Sequence, residues 1–298
     1  MINLHRTLFG TMANLTVTTG YSCNNRCLFC AQGDLRSQQQ DVPPDEVCRN
    51  LHTSVRPGDT VVLSGGEISL RPEVGEWITT ARALGATEVW LQTNGRMAAY
   101  SQWLKRLMDN GLTGLQVPVL GADEVCHDYL TQCEGSWAQT MAGLRRATRL
   151  GMPVVVRTVL TRSNFRHLVE IAVLLAQHGV KQWHLSGLKL VGSAYKSATN
   201  LAPRITLLAP FVNRAADRFH QVQGRVLLDG LPLCGGARWP EWVMTRPNLH
   251  VGPVVSEQGP AQRVYGADCT ACRLRSVCPG LDRTYAELYG FTEIVARP

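Results

Sequence analysis

The sequence predicts an α/β protein built on a parallel sheet, with a loop-rich C-terminal appendage. Three observations carry that expectation. Short apolar, β-branched runs alternate about six times with helix-length segments, a pattern that specifies a parallel sheet with right-handed crossovers. Three motif-like stretches fall just after such runs, at the strand carboxyl ends where parallel sheets and barrels gather their sites. Past residue 230 the alternation gives way to Gly, Pro, Arg and Cys.

The elements follow in order. Leu15-Thr16-Val17-Thr18-Thr19 reads as a buried strand, broken by Gly20. Pro43-Pro44-Asp45-Glu46 opens a helix, with Pro in the first turn and acids near its positive end. Thr60-Val61-Val62-Leu63 is a short buried strand; residues 74–84 are helical, and residues 88–92 form a third strand. Residues 98–110 make a helix stopped by Gly111. Leu115-Gln116-Val117-Pro118-Val119 is strand-like, although Pro118 is awkward inside a parallel sheet. Ser136 is placed to cap a helix reaching Leu150, and residues 154–160 are the clearest strand. Ser163 or Asn164 is placed to cap the next helix, to about His178, and residues 182–185 end the series. A helix over 207–222 and a strand over 225–228 lead into the tail, which is too loop-rich to bury much core and needs a staple.

Composition narrows the function classes. The 298 residues are 45% hydrophobic and 18% charged, with no apolar run long enough to span a bilayer. The N-terminal Met1-Ile2-Asn3-Leu4-His5-Arg6 lacks the pattern of a signal peptide. Ten cysteines in a large chain without a signal argue for metal ligation in a reducing compartment, and cytoplasm is the expectation. The net charge of +7 fits Arg on solvated helix faces, as at Arg145, Arg146 and Arg149. There is no basic block or aromatic-interleaved stripe, so a nucleic-acid partner is not favoured.

Cys23-Asn24-Asn25-Arg26-Cys27-Leu28-Phe29-Cys30 follows the first strand. Three thiolates on one loop can bind three corners of a cubane iron–sulfur cluster and leave the fourth iron open. A structural zinc site wants four ligands, usually in two pairs, and no fourth lies nearby. Ser64-Gly65-Gly66-Glu67 ends the second strand: glycines let a backbone approach a ligand, and the carboxylate can pair with an ammonium. Gln92-Thr93-Asn94-Gly95 ends the third, where a side-chain amide can bind polar ligand groups or an Asn-Gly turn can simply close the strand. In the tail, Cys234 precedes Cys269-Thr270-Ala271-Cys272 and Cys278, four thiols that can hold a second cluster or a zinc ion.

The CxxxCxxC loop with Phe29 before its last Cys, and Gly-Gly-Glu after the next strand, resemble the radical S-adenosylmethionine (SAM) superfamily. The resemblance implies a partial (β/α)6 barrel of the TIM type over 1–200, a connecting segment over 201–229, and a small cysteine-rich domain of the SPASM or twitch kind over 230–298. It implies a [4Fe–4S] cluster on Cys23, Cys27 and Cys30, with SAM chelating the open iron. Phe29, Gly65, Gly66, Glu67, Gln92, Thr93 and Asn94 would line the SAM site. The chain departs from the family in having Ile68 for Pro, Pro118 for Ser and Thr131 for Arg; Arg157 would supply the lost carboxylate contact, or form a structural ion pair. The tail resembles the branch whose auxiliary [4Fe–4S] cluster here would take Cys234, Cys269, Cys272 and Cys278.

The implied reaction is reductive cleavage of SAM to a 5′-deoxyadenosyl radical that abstracts a substrate hydrogen. A ribosomally made peptide is the expected substrate, to be cross-linked, epimerised or oxidised. A flavodoxin- or ferredoxin-type donor would supply electrons, and a separate protein is a candidate binder of the leader peptide, because the short N-terminus leaves little room for one. The alternatives are a small-molecule dehydrogenase or mutase, an RNA-modifying enzyme, and a non-catalytic zinc or iron–sulfur module. Of the other candidates, Cys48 reads as helix packing, Cys126 and Cys133 as loop residues flanking His127-Asp128, and His127 as structural rather than a proton shuttle. His184 has no side assigned on its strand, and Trp239 and Trp242 are placed over the tail's thiols.

Overall fold

A computed structural model describes residues 15–235, 249–252, 255–256 and 262–297. Seven parallel strands follow one another: β1 (Leu15–Thr18), β2 (Thr60–Ser64), β3 (Glu88–Gln92), β4 (Gly114–Pro118), β5 (Val154–Leu160), β6 (Gln182–Gly187) and β7 (Arg225–Asp229). An eighth, β8 (Leu249–Val251), pairs in parallel with β1, so the order is β7-β6-β5-β4-β3-β2-β1-β8. This is the expected partial barrel, left open between β7 and β8 and extended by one strand at each edge of the six. Trp239 and Trp242 lie outside the described residues.

The strands form where the sequence supplies β-branched residues that can be buried on two faces. Leu15, Val17, Val61, Leu63, Val89 and Leu91 belong to one fully buried cluster beneath the outer helices. Trp183 on β6 packs edge-on to Phe219 of the helix Ile205–His220, with ring centroids 5.6 Å apart. Both rings are wholly buried, worth roughly 2–3 kcal/mol each. The Trp183 indole nitrogen is satisfied as well, donating to Thr158 Oγ1 at 2.9 Å.

Pro118 resolves simply, since it is the last residue of β4 and the next N–H, from Val119, bonds the Arg157 carbonyl. Two capping expectations are corrected. Ser136 does not cap its helix (Ser136–Arg149); Asp128 does, accepting from the Gly135 and Trp137 N–H groups and from Ser136 Oγ. Asn164 instead fastens a loop, accepting from Thr161 N–H and donating to the Leu120 and Val159 carbonyls. The segment around His127 is also helical, Glu124–Thr131, with Asp123 as its cap. Its buried face is His127, Leu130 and Thr131 while Val125 and Tyr129 face solvent, which hides the usual apolar periodicity.

The tail is stitched to the barrel rather than hung from it. A short antiparallel pair, β9 (Arg263–Val264) and β10 (Leu281–Asp282), leads into the helix Arg283–Tyr289. Leu281, Tyr285 and Ile294 join Leu190, Ala194 and Leu201 from the barrel rim in a second apolar cluster. Buried Glu293 accepts from Arg204, from Thr206 and from the Tyr285 hydroxyl, whose oxygen in turn accepts from Ile205 N–H. Asp282 caps the last helix with one oxygen and with the other accepts from Leu190 N–H at 3.3 Å.

Candidate active site

The carboxyl ends of β1 to β6 surround a cleft of about 1330 Å3, measured to its open mouth. Cys23, Cys27, Cys30, Phe29, Gly65, Gly66, Glu67, Gln92, Thr93, Asn94 and Arg157 all line it. Every residue expected at the N-terminal site is thus brought to one surface.

The thiol loop is held by backbone bonds on three sides. Arg26 and Leu28 N–H groups reach the carbonyls of Thr131 and Leu130, Glu67 N–H reaches the Ser22 carbonyl at 2.7 Å, and Ser193 N–H reaches that of Cys30 at 2.9 Å. Asp41 accepts from the N–H groups of Tyr21 and Ser22, and Arg36 donates to the Cys23 carbonyl at 2.8 Å. Burial pushes the Cys27 thiol up to about 12, with Cys30 and Cys23 adding to the shift. Cys23 is raised by burial, opposed by the Asn25 N–H, and further affected by Glu67, Arg36 and Cys30. Among the described residues no three metal-binding side chains are gathered tightly enough to share a single ion.

The Gly-Gly-Glu turn works differently from its sequence reading. Gly65 and Gly66 have φ of 104° and 51°, and a Cβ on Gly66 would stand 2.2 Å from the Ser22 carbonyl oxygen. The close approach is to the thiol loop's own backbone. Glu67, 2% exposed, accepts from Ser69 N–H, Thr93 Oγ1 and Asn94 N–H. A carboxylate offers about four acceptor sites, so one remains. Thr93 and Asn94 are therefore braces, with Asn94 also donating to the Asn24 side chain at 2.6 Å. Gln92 lines the cleft, and its side-chain oxygen accepts from Ser64 Oγ at 3.1 Å.

Arg157 makes the structural ion pair, 3.7 Å from Asp229, and lies 3.3 Å from Ser186 Oγ, while still facing the cleft. His184 is its neighbour in register on β6, on the same face as Ser186. It is fully buried with neither ring nitrogen partnered, and burial and then Arg157 lower its pKa to about 3. His127 takes the structural role: Nδ1 accepts from Leu120 N–H, and burial lowers its pKa to about 4. Cys48 packs half-buried against the core, Cys126 points at the carbonyls of Leu120 and Ser163, and Cys133 accepts from Arg96.

Sequence reasoning missed Gln32, Arg36 and Lys189, which also line the cleft. Gln32 donates to the Gly20 carbonyl and accepts from Gly66 N–H, joining the thiol loop to the glycine turn. Nothing in a lone Gln or Arg marks such a bridge before the chain is folded.

Cys234, Cys269, Cys272 and Cys278 surround a separate space of about 290 Å3. Backbone N–H groups of Leu233 and Gly280 point at Cys278 Sγ, and that of Arg297 at Cys272 Sγ, at 3.4–3.5 Å. Amides aimed at sulfur suit thiolate ligands of an iron–sulfur cluster.

Residues 17–175 match the family model of the Radical SAM superfamily. The chain is 27% identical over 184 residues to a probable GTP 3′,8-cyclase of Sulfurisphaera tokodaii, covering 61% of this chain and 58% of that protein. It is 25% identical over 222 residues to the PqqA peptide cyclase of Methylorubrum extorquens, covering 74% and 56%. It therefore spans under three-fifths of the length of either relative. Among solved structures, Streptococcus suis SuiB superposes with a TM-score of 0.59 at 13% identity, over 72% of this chain and 48% of that one, a likeness of fold.

Proposed function

Because this chain belongs to the radical SAM superfamily, an enzyme family working through a [4Fe–4S] cluster and SAM, we propose that it modifies a peptide with a hydrogen-abstracting radical. The observation that carries this reading is the cleft, where three thiols, the glycine turn, an unspent Glu67 acceptor site and Arg157 share one surface. When bound, the cluster and SAM supply one-electron cleavage of the sulfonium and hydrogen-atom abstraction by the adenosyl fragment.

The protein's own residues position and shield. Cys23, Cys27 and Cys30 would hold the cluster, and Arg36 fixes the loop through the Cys23 carbonyl. Glu67, pre-set by three donors, receives the SAM ammonium on its remaining lone pair, while Arg157 takes the carboxylate. The Gln92 amide meets the ribose or methionine, and Phe29 excludes water beside them. Cys234, Cys269, Cys272 and Cys278 would hold an auxiliary [4Fe–4S] cluster, a group that would supply one-electron chemistry suited to net oxidation or cross-linking. A flavodoxin- or ferredoxin-type protein supplies the priming electron, and a separate protein presents the leader.

What supports a peptide is that the match to the peptide cyclase covers 74% of this chain, against 61% for the match to the GTP 3′,8-cyclase. A nucleotide is the second reading, favoured by the similarity to the GTP 3′,8-cyclase. Anaerobic incubation with SAM and dithionite should release 5′-deoxyadenosine. Adding a precursor peptide encoded beside the gene should then convert that peptide to a product of altered mass or chromatographic retention; conversion of GTP to a new chromatographic species instead would replace the peptide reading.

A further inference from the structure

The charged groups of the cleft do not balance once SAM is seated. Arg36, Glu67, Arg157 and Lys189 are the charged side chains that line it. In the reading above, on which this inference rests, Glu67 and Arg157 meet the two charges of the SAM amino-acid group. Arg36 is engaged by the Cys23 carbonyl. Lys189 is left over.

Lys189 stands on the loop after β6, exposed to solvent and lining the open cleft. Among the described residues its ammonium has no hydrogen bond, and no carboxylate lies within ion-pair distance. Asp229 at the end of β7 is the carboxylate whose field reaches it, but Asp229 pairs with Arg157. Arg263, which donates to the Gly230 carbonyl at 3.0 Å, adds a third positive charge beside them. Three cations thus share Asp229 and, in the reading above, the SAM carboxylate on Arg157. Their crowding shows in Lys189 itself, whose pKa is lowered by burial, raised by Asp229, and lowered again by Arg157 and Arg263. An anion entering here relieves that repulsion and meets an ammonium with its donors unspent. The loop is also kept in place, because the adjacent Leu190 N–H is held by Asp282.

We propose that Lys189 binds an anionic oxygen group of the substrate, with Arg157 and Arg263 reinforcing the field around it. A carboxylate on an acidic peptide and the phosphates of a nucleotide both present that chemistry.

The test uses SAM-loaded holoenzyme and calorimetric titration with three probes: an end-blocked peptide of Ala and Glu, the same peptide with Gln for Glu, and GTP. The expected result is that either the Glu peptide or GTP binds at least about tenfold tighter than the Gln peptide. Lys189→Met should erase that preference and Lys189→Arg retain most of it. Whichever probe shows the preference names the source of the anion. Equal binding of all three, no binding, or a preference that survives Lys189→Met overturns the proposal. The cluster's EPR spectrum separates the two levels of inference. A SAM-induced change present in wild type but lost in Lys189→Met would assign Lys189 to SAM and overturn the substrate role. Absence of that change in wild type would sink the SAM reading itself.

Discussion

Two sets of cysteines sit in this molecule in opposite kinds of surroundings. The N-terminal three share one eight-residue loop and open onto a cleft several times larger than they need. The C-terminal four come from segments far apart in sequence and enclose a small space whose backbone amides point at sulfur. Thiol number and free volume thus vary inversely. The three-thiol loop is left room for something else, whereas the four-thiol set is closed around itself. The lesson is that the space beside a set of thiols is shaped by the scaffold as much as by their number.

The sharpest way to break the contrast is to remove one thiol from each side. Cys27→Ala should drop 5′-deoxyadenosine release by at least about a hundredfold while leaving the tail's cluster spectrum in place. Cys272→Ala should lower iron from about eight to about four per chain and abolish product formation. It should keep substrate-independent SAM cleavage within a few-fold, as measured by iron assay and chromatography of the nucleoside. Loss of SAM cleavage in both variants would mean that the two sites are not separate.

A smaller effect is expected at Glu67. Glu67→Gln puts an amide where three donors converge, and should cost roughly 2–3 kcal/mol in chemical denaturation together with weaker SAM binding, with no change in tail iron. The smallest effect tests the barrel floor against acid. His184 titrates near 6.5 when unfolded and near 3 when folded, so its contribution is complete above pH 6.5 and is lost as pH falls toward 3. Wild type should lose on the order of 1–2 kcal/mol by pH 5 on this account, and His184→Gln should flatten that slope in urea midpoints measured across the range.

Much of the barrel was legible because its strands announce themselves. Val154–Leu160 and Glu88–Gln92 keep the bounds expected from their apolar runs. The thiol and Gly-Gly-Glu stretches declared the cleft because their spacing is chemical. What stayed hidden depends on tertiary partners. β8 is a three-residue strand that exists through pairing with β1, and the helix Glu124–Thr131 buries a histidine instead of an aliphatic stripe. Glycine's part in the Gly-Gly-Glu turn was assigned to a ligand, although the nearest neighbour is the protein's own carbonyl at Ser22. Lys189 gave no signal at all, since an isolated lysine after a strand is ordinary until three charges are folded around it.

Asp282 gives the C-terminal segment leverage over events it never touches. One buried carboxylate grips both the last helix and the peptide group next to Lys189, so the tail also steadies the loop that carries a side chain of the cleft. Lesions in that segment can blunt substrate capture while every iron remains in place, and a damaged variant would then be misdiagnosed as one that has lost its wiring.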